Sequence, residues 1–344
     1  MMALALAVVG VAAGACSSDA STRGGDEAGP TTTAAPVSVP DEVPPGTTLR
    51  IGDQLEYLQT VLRLAGEDQG LPYDVEYSSF VGGPSMLQAF QGGSIDGGFV
   101  GSTPLIFAQA QGQEIQAVAG WATEGGSYGL VTAPGVDDID GWKDLAGKRV
   151  AYQRGTAGEA ALLQALDEAG VDPADVTTVD VPITQASSAL AGGSADAAIS
   201  VEPLTSVYLG EHADAQVVDH ADEVTDRSSF LIATRDTLDD EARSAALADY
   251  LSRLVRSFSY LKAHPDAIVQ AVFVDQYGLD PARAADVVDQ QGGATFVDVP
   301  GDIEDQQQHL ADLFFEAGQI PEKVDVSAEF DTRFNDLVRE VQAA

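Results

Sequence analysis

Two stretches of this chain repeat each other about a hundred residues apart, and a repeat of that size restricts the fold to two similar units. The first copy begins Leu49-Arg50-Ile51-Gly52-Asp53-Gln54 and resumes at Gly92-Gly93-Ser94-Ile95-Asp96-Gly97-Gly98-Phe99-Val100-Gly101-Ser102-Thr103-Pro104. The second begins Lys148-Arg149-Val150-Ala151-Tyr152-Gln153 and resumes at Gly192-Gly193-Ser194-Ala195-Asp196-Ala197-Ala198-Ile199-Ser200-Val201-Glu202-Pro203. In each, a basic and apolar strand ends in Gln, and a Gly-Gly-Ser-x-Asp turn feeds a small-residue strand that stops near Pro. The matched spacing predicts two similar lobes that present their strand ends, and with them the shared residues, to a ligand in a common cleft.

Between and after these stretches, short apolar strands alternate with amphipathic helices, which favours an α/β fold with parallel or mixed sheets covered by helices. Strands are expected at 49–52, 73–80, 97–100, 116–121 and 128–132, with helices at 56–67, 86–91 and 104–111. The second copy adds strands at 149–153, 177–181, 195–200, 217–218 and 230–233, and helices at 157–169, 183–191 and 204–209. The final third reads as helical: 241–263, 267–277, 281–290, 306–317 and 328–341. The second copy is thus an insert. Lobe 1 is assigned to 48–133 plus 235–344 and lobe 2 to 134–234, and the two crossings between them make a hinge suited to closure around a ligand.

The first fifteen residues are apolar, too few to span a bilayer but the length of a signal-peptide apolar region. Cys16, the only cysteine, follows Gly14 and Ala15. This arrangement resembles a bacterial lipoprotein signal, although Ala13 stands where Leu is usual, and the resemblance implies a lipid on Cys16. A plain secretory signal with an incidental cysteine is the alternative. With a single cysteine no disulfide can form within the chain. Residues 17–47 are dominated by Ser, Thr, Gly, Pro and acid, as in Gly29-Pro30-Thr31-Thr32-Thr33-Ala34-Ala35-Pro36. Such a composition reads as a flexible tether with a reach on the order of 30 Å.

The formal charge of −37 argues against nucleic acid and against docking on anionic lipid through a basic patch; it reads as a solvated surface. Gln153-Arg154-Gly155-Thr156-Ala157-Gly158 lies between a strand and a helix, where unpaired backbone N–H groups and the helix dipole favour an anion. Ser102-Thr103-Pro104 is a comparable helix start in the first copy. Either alone is explained by ordinary N-capping, but two at equivalent places predict a grip on one small oxyanion from both sides. Screening limits repulsion from the acidic body to roughly 8 Å. Arg227, before Ser228-Ser229-Phe230, either adds a charge-assisted contact or pairs on the surface with Asp222 or Asp226. His212, His220, His264 and His309 fall in no metal-ligand spacing. Gly125-Gly126-Ser127-Tyr128-Gly129 matches a hydrolase string, yet Leu130-Val131-Thr132 after it reads as strand, not helix. No enzyme, metal or cofactor is therefore expected. Trp121 is expected to wall a cleft and Trp142 to pack a lobe boundary.

The stretch from Gly92 to Ala110 resembles the solute-binding proteins of ABC importers for aliphatic sulfonates, with their taurine and nitrate relatives. So do Leu145-Ala146-Gly147-Lys148-Arg149-Val150-Ala151-Tyr152-Gln153-Arg154-Gly155-Thr156 and Gly193-Ser194-Ala195-Asp196-Ala197. The resemblance covers about residues 48–340 and implies a type II-like periplasmic-binding-protein fold that delivers its ligand to a permease. Gln54, Ser102, Thr103, Gln153, Thr156 and Ala157 fall where that family contacts ligand. The second copy departs from the family. Ala198, Val201 and Glu202 stand where aromatic residues and an Asp before Pro are common, and Leu204 where Tyr is frequent. Glu202 and Arg227 complete the candidate site, and the second copy is expected to decide the ligand. The expected protein is a lipid-anchored, extracytoplasmic, monomeric receptor for a small, sulfonate-like organic anion. A receptor for nitrate, bicarbonate or a thiamine-pyrimidine precursor, or a ligand sensor, is the alternative. Pyrimidine-synthase relatives of this fold carry a Cys-rich motif that one cysteine cannot supply.

Overall fold

The computed structural model describes residues 42–126, 128–220 and 227–344. The apolar leader, Cys16, most of the tether, Ser127, Asp222 and Asp226 lie outside the described residues. The last tether residues already belong to the body. Val43 packs against the first core, and Thr47 is buried with its hydroxyl donating to the Pro44 carbonyl at 2.7 Å.

The chain runs β1 (Thr48–Gln54), α1 (Tyr57–Ala65), β2 (Asp74–Phe80), α2 (Gly83–Gln91), β3 (Gly97–Gly101), α3 (Ser102–Ala110) and β4 (Ile115–Ala122). It continues β5 (Tyr128–Thr132), β6 (Arg149–Tyr152), α4 (Ala157–Ala169), β7 (Thr177–Asp180), α5 (Ala186–Ala191), β8 (Ala197–Val201), α6 (Leu204–Glu211) and β9 (Val217–His220). Then come β10 (Ser228–Thr234), α7 (Arg235–Asp239), α8 (Glu241–Ala263), α9 (Pro265–Ile268), a π-helical turn (Val269–Val274) and α10 (Pro281–Gln291). Strand β11 (Thr295–Val297), α11 (Ile303–Glu316) and α12 (Asn335–Ala343) end it. None of these helices is long and apolar enough to cross a membrane.

The strands form two sheets, β11-β4-β10-β3-β1-β2 and β7-β6-β8-β5-β9. Each is mixed. In the first, β1 runs parallel to β2 and β3, and β10 antiparallel to β3 and β4; in the second, β6 runs parallel to β7 and β8, and β5 antiparallel to β8 and β9. The sheets therefore superimpose in order, with β10 and β5 in the same place. This corrects the expected lobe boundaries at 133/134 and 234/235. Strand β5 pairs in the second sheet and β10 in the first, so each crossing lies before its strand: between β4 and β5, and between β9 and β10. Alternation cannot distinguish the two assignments, because a strand buried on both faces carries apolar residues in either sheet. Strand β11 was not foreseen; it sits at the edge of the first sheet beside β4.

Successive residues of a central strand feed opposite cores. In β10, Leu231 and Ala233 join the core beneath α1, α8 and α12, whereas Phe230 and Ile232 join the one beneath α2 and α3. In β6, Val150 and Tyr152 face one core of the second lobe and Ala151 the other. Close packing dictates the small residues of β3: a Cβ on Gly98 would lie 2.8 Å from the Gly52 carbonyl oxygen and from Met86 Sδ. Trp142 packs against the second-lobe core. A further core joins the lobes, with Ala160 and Leu163 of α4 against Ile106 of α3 and Leu310, Ala311 and Phe314 of α11.

The repeated Arg and Asp prove structural. Arg50 gives Asp96 its Nη2 at 2.6 Å, Nε at 3.0 Å and backbone N–H at 2.8 Å, and gives the Gly93 carbonyl its Nη1 at 2.7 Å. Arg149 repeats this on Asp196 and Gly193 at 2.6, 3.1, 2.8 and 2.7 Å. Each clamp ties the strand after the Gly-Gly turn to the strand that opens its copy. This corrects the expectation that the shared residues as a set hold ligand: Arg, Gly-Gly and Asp sit at the opposite end of the strands from Gln54 and Gln153.

Candidate functional site

A cleft of about 1000 Å³ opens between the lobes. Of the expected site residues, Gln54, Gln153, Thr156, Ala157, Glu202 and Arg227 line it. Ser102 and Thr103 do not. Both are buried in the first turn of α3, and the Ser102 carbonyl accepts from Gln307 Nε2 at 3.1 Å. The helix start that faces the turn before α4 is that of α2. Gly82 and Gly83 line the same cleft, and a Cβ on Gly82 would lie 3.2 Å from Gln153 Nε2. Likewise, a Cβ on Gly155 would lie 3.3 Å from Pro84 Cγ, and both Gly82 and Gly155 adopt positive φ, 81° and 73°.

The two strand-end glutamines are held in opposite senses. Gln153 Oε1 accepts the Ile183 N–H at 2.9 Å, which presents its Nε2 as a donor. Gln54 Nε2 donates to the Phe99 carbonyl at 2.7 Å, which presents its Oε1 as an acceptor. The Thr156 hydroxyl donates to the Gln153 carbonyl at 2.7 Å and so does not cap α4. The first-turn N–H groups of Ala157 and Gly158 have no carbonyl partner within their own helix. Glu159, buried, takes the Gly155 N–H at 2.7 Å, and its burial pushes the carboxyl up despite that bond. The Thr156-Ala157-Gly158-Glu159 spacing is a capping-box signature, but the box does not form: Glu159 takes the N–H of Gly155 rather than that of Thr156.

The equivalent helix start of the first lobe is already filled. Asp53, fully buried, accepts the N–H groups of Leu58 at 2.9 Å and Gln59 at 3.0 Å. Burial pushes its carboxyl up, against these donors. The backbone bends to allow this, with Leu55 and Glu56 both at positive φ, 54° and 61°. The second copy has Tyr152 in place of Asp53, and that break in the repeat was the available signal.

Glu202 does more than line the cleft. Its Oε2 accepts the Ser206 N–H at 3.3 Å, and its Oε1 lies 3.5 Å from Arg283 Nη2. Arg227 is exposed and donates to the Glu124 carbonyl, while Lys262 Nζ reaches Glu124 Oε1 at 3.3 Å. The other lining carboxylates, at Glu56, Glu124, Asp266, Asp286 and Asp289, are exposed at the rim, where solvent screens them.

Trp121 walls the cleft as expected, but its partners in that wall, and a second wall, were not foreseen. Tyr57, Phe99, Trp121 and Phe258 place a run of rings along the first lobe; Tyr128 adds a phenol that burial pushes up to about 12. The second is a helical cap, 265–291, expected simply as part of lobe 1. It has a small core of its own in Phe273, Leu279, Ala284 and Val287, which takes in Val207 of the second lobe. Its end is fixed by the Gly125 N–H on the Gln291 carbonyl at 2.9 Å, where a Cβ on Gly125 would lie 2.0 Å from the Gln290 oxygen. Among the described residues no group of three or more His, Cys, Asp or Glu is placed to hold a metal.

Two mixed sheets of matching order, crossed twice by the chain and enclosing one cleft, define the periplasmic-binding-protein fold. The alkanesulfonate-binding protein SsuA from Xanthomonas axonopodis pv. citri, bound to MOPS, shares that fold, with a TM-score of 0.74 at 24% identity over 84% of this chain and 99% of that one. The chain belongs to the NMT1/THI5-like family, whose profile matches residues 67–268. It is 28% identical over 252 residues to a protein of Escherichia coli (strain K12) named for binding aliphatic sulfonates, covering 73% of this chain and 77% of that one. A Bacillus subtilis (strain 168) protein of the same description is 27% identical over 270 residues, 78% and 79% of the two chains.

Proposed function

We propose that this chain is an extracytoplasmic receptor that captures a sulfonate-like organic anion between its lobes and delivers it to an ABC permease. The observation that carries this reading is the orientation of Gln153. Its carboxamide, held by the Ile183 N–H, directs a donor beside the open α4 start at Thr156 and Ala157 and beside Gly82 at the α2 start. Such backbone and amide donors suit an oxyanion without a formal positive charge. The same-fold neighbour bound to MOPS, a sulfonate, and the relatives named for aliphatic sulfonates support this choice. A cleft of about 1000 Å³ is also far larger than nitrate or bicarbonate needs. As a receptor the protein returns its ligand chemically intact. Cys16 carries a lipid that anchors the tethered, monomeric body at the outer face of the membrane.

Calorimetry with alkanesulfonates, taurine, sulfate, nitrate and a thiamine-pyrimidine precursor tests the ligand. Saturable binding of sulfonates, weakened about 10-fold or more in Gln153→Ala, is expected for loss of one hydrogen bond to a charged group. Absence of heat with every sulfonate, together with saturable pyrimidine binding, overturns the reading. Cys16→Ser is expected to release the protein from the membrane fraction.

A further inference from the structure

The proposed oxyanion donors account for one end of the cleft and leave most of its volume to something else. On the first-lobe side, ring centroids lie 5.6 Å apart for Tyr57 and Phe99, 6.0 Å for Phe99 and Trp121, and 5.4 Å for Trp121 and Phe258. On the cap, the π-helical turn contributes Val269 and Val272, with Ile268 just before it. These three side chains are half-buried, unlike the fully packed Phe273 beside them. They therefore leave apolar surface on the cleft that the protein itself does not cover. A π turn is an irregularity often found at functional sites, because it resets which side chains share a face.

We infer that the cap is the specificity element of this receptor, and that its ligand carries a bulky apolar group, a long alkyl chain or an aryl ring. That group lies between the half-buried Tyr57 and Phe99 rings and Val269 and Val272. The inference rests on the sulfonate-receptor reading of the same cleft. It adds the cap to the second-copy departures: Val201 and Glu202 line the cleft, whereas Ala198 is buried inside its sheet and neither Ala198 nor Leu204 lines it. Transfer of each further methylene out of water between these walls favours binding about fourfold, until the space is filled.

The test is a calorimetric series of methane-, butane- and octanesulfonate and naphthalene-2-sulfonate on the wild-type protein and on Val272→Ala and Val269→Ala, with thermal melts to verify folding. Affinity is expected to climb from methane- to octanesulfonate. Each valine variant is expected to weaken octanesulfonate about fivefold while leaving methanesulfonate within twofold. Equal affinity along the series overturns the inference but leaves the receptor reading standing. A climb that neither variant alters overturns the role of the cap. Failure of every sulfonate to bind overturns both readings.

Discussion

Arg283 of the cap reaches Glu202 of the second lobe, Nη2 to Oε1 at 3.5 Å, while its Nε donates to Ser206 Oγ at 3.1 Å. The cap springs from α8 and returns to the first sheet through β11, so this contact ties one lobe to the other beside the ligand cleft. Glu202 is the more buried partner, with 14% of its side chain exposed against 42% for Arg283.

Removing this tie is expected to change ligand kinetics more than stability. A half-exposed pair contributes about 0.5 kcal/mol, so Arg283→Ala should shift the melting temperature little. Ligand release, followed by stopped flow, should quicken by about three- to tenfold. Glu202→Gln with Arg283→Ala should be no faster than either variant alone, as expected of residues that act through one another.

The two clamps are expected to be unequal in stability and equal in having no effect on ligand affinity. The Asp96 side chain is 2% exposed and also meets Arg243 at 3.1 Å, whereas that of Asp196 is 25% exposed. Arg50→Ala should cost about 2 kcal/mol in urea unfolding, because it leaves a buried carboxylate with Arg243 as its remaining ion-pair partner, and Arg149→Ala should cost less. Burial works to raise the Asp96 carboxyl, but Arg50 outweighs it and holds the group low; Arg149 holds Asp196 low directly. Their stabilisation is therefore present above the usual carboxylate range and lost as pH falls through the depressed values. An acid titration of stability should show less loss below pH 4 in the Arg50→Ala protein.

Glu329 has the opposite sign. It is buried beside Gln307, whose Nε2 donates to it at 2.8 Å, and burial pushes its carboxyl up to about 8. The folded state holds this proton while the unfolded chain releases it near its usual value of about 4.3. Stability should consequently fall as pH rises across that window, by at most about 1.4 kcal/mol per unit. Glu329→Gln should flatten the dependence between pH 5 and 8 and raise the melting temperature at pH 8.

Asp53 is expected to matter through α1. Its carboxylate takes the N–H groups of Leu58 and Gln59, so Asp53→Ala should cost about 1–2 kcal/mol in denaturant unfolding. Asp53→Asn, which keeps an acceptor, should cost less.

Local pattern carried much of this architecture. Helix α8 occupies the expected span, 241–263, and Gln54 and Gln153 both reach the cleft, as the strand ends imply. What failed was local evidence asked to settle a global choice. The hydroxyl pair Ser102-Thr103 looked like an anion grip because it opens a helix, but α3 is buried against α11 and the facing helix start is that of α2. The cap residues Val269 and Val272 gave no sign of their place, since a short apolar run reads alike over a cleft or in a core.

The sequence by itself determined the duplication, the strand and helix alternation, and hence two lobes of one plan, because periodicity and turn chemistry act over a few residues. The tertiary structure decided which sheet received β5 and β10, and that Arg50–Asp96 and Arg149–Asp196 are clamps. It also decided that the cap and four aromatic rings wall the cleft. Those outcomes depend on contacts between residues far apart in the chain, and their relative burial is fixed only when the sheets pack.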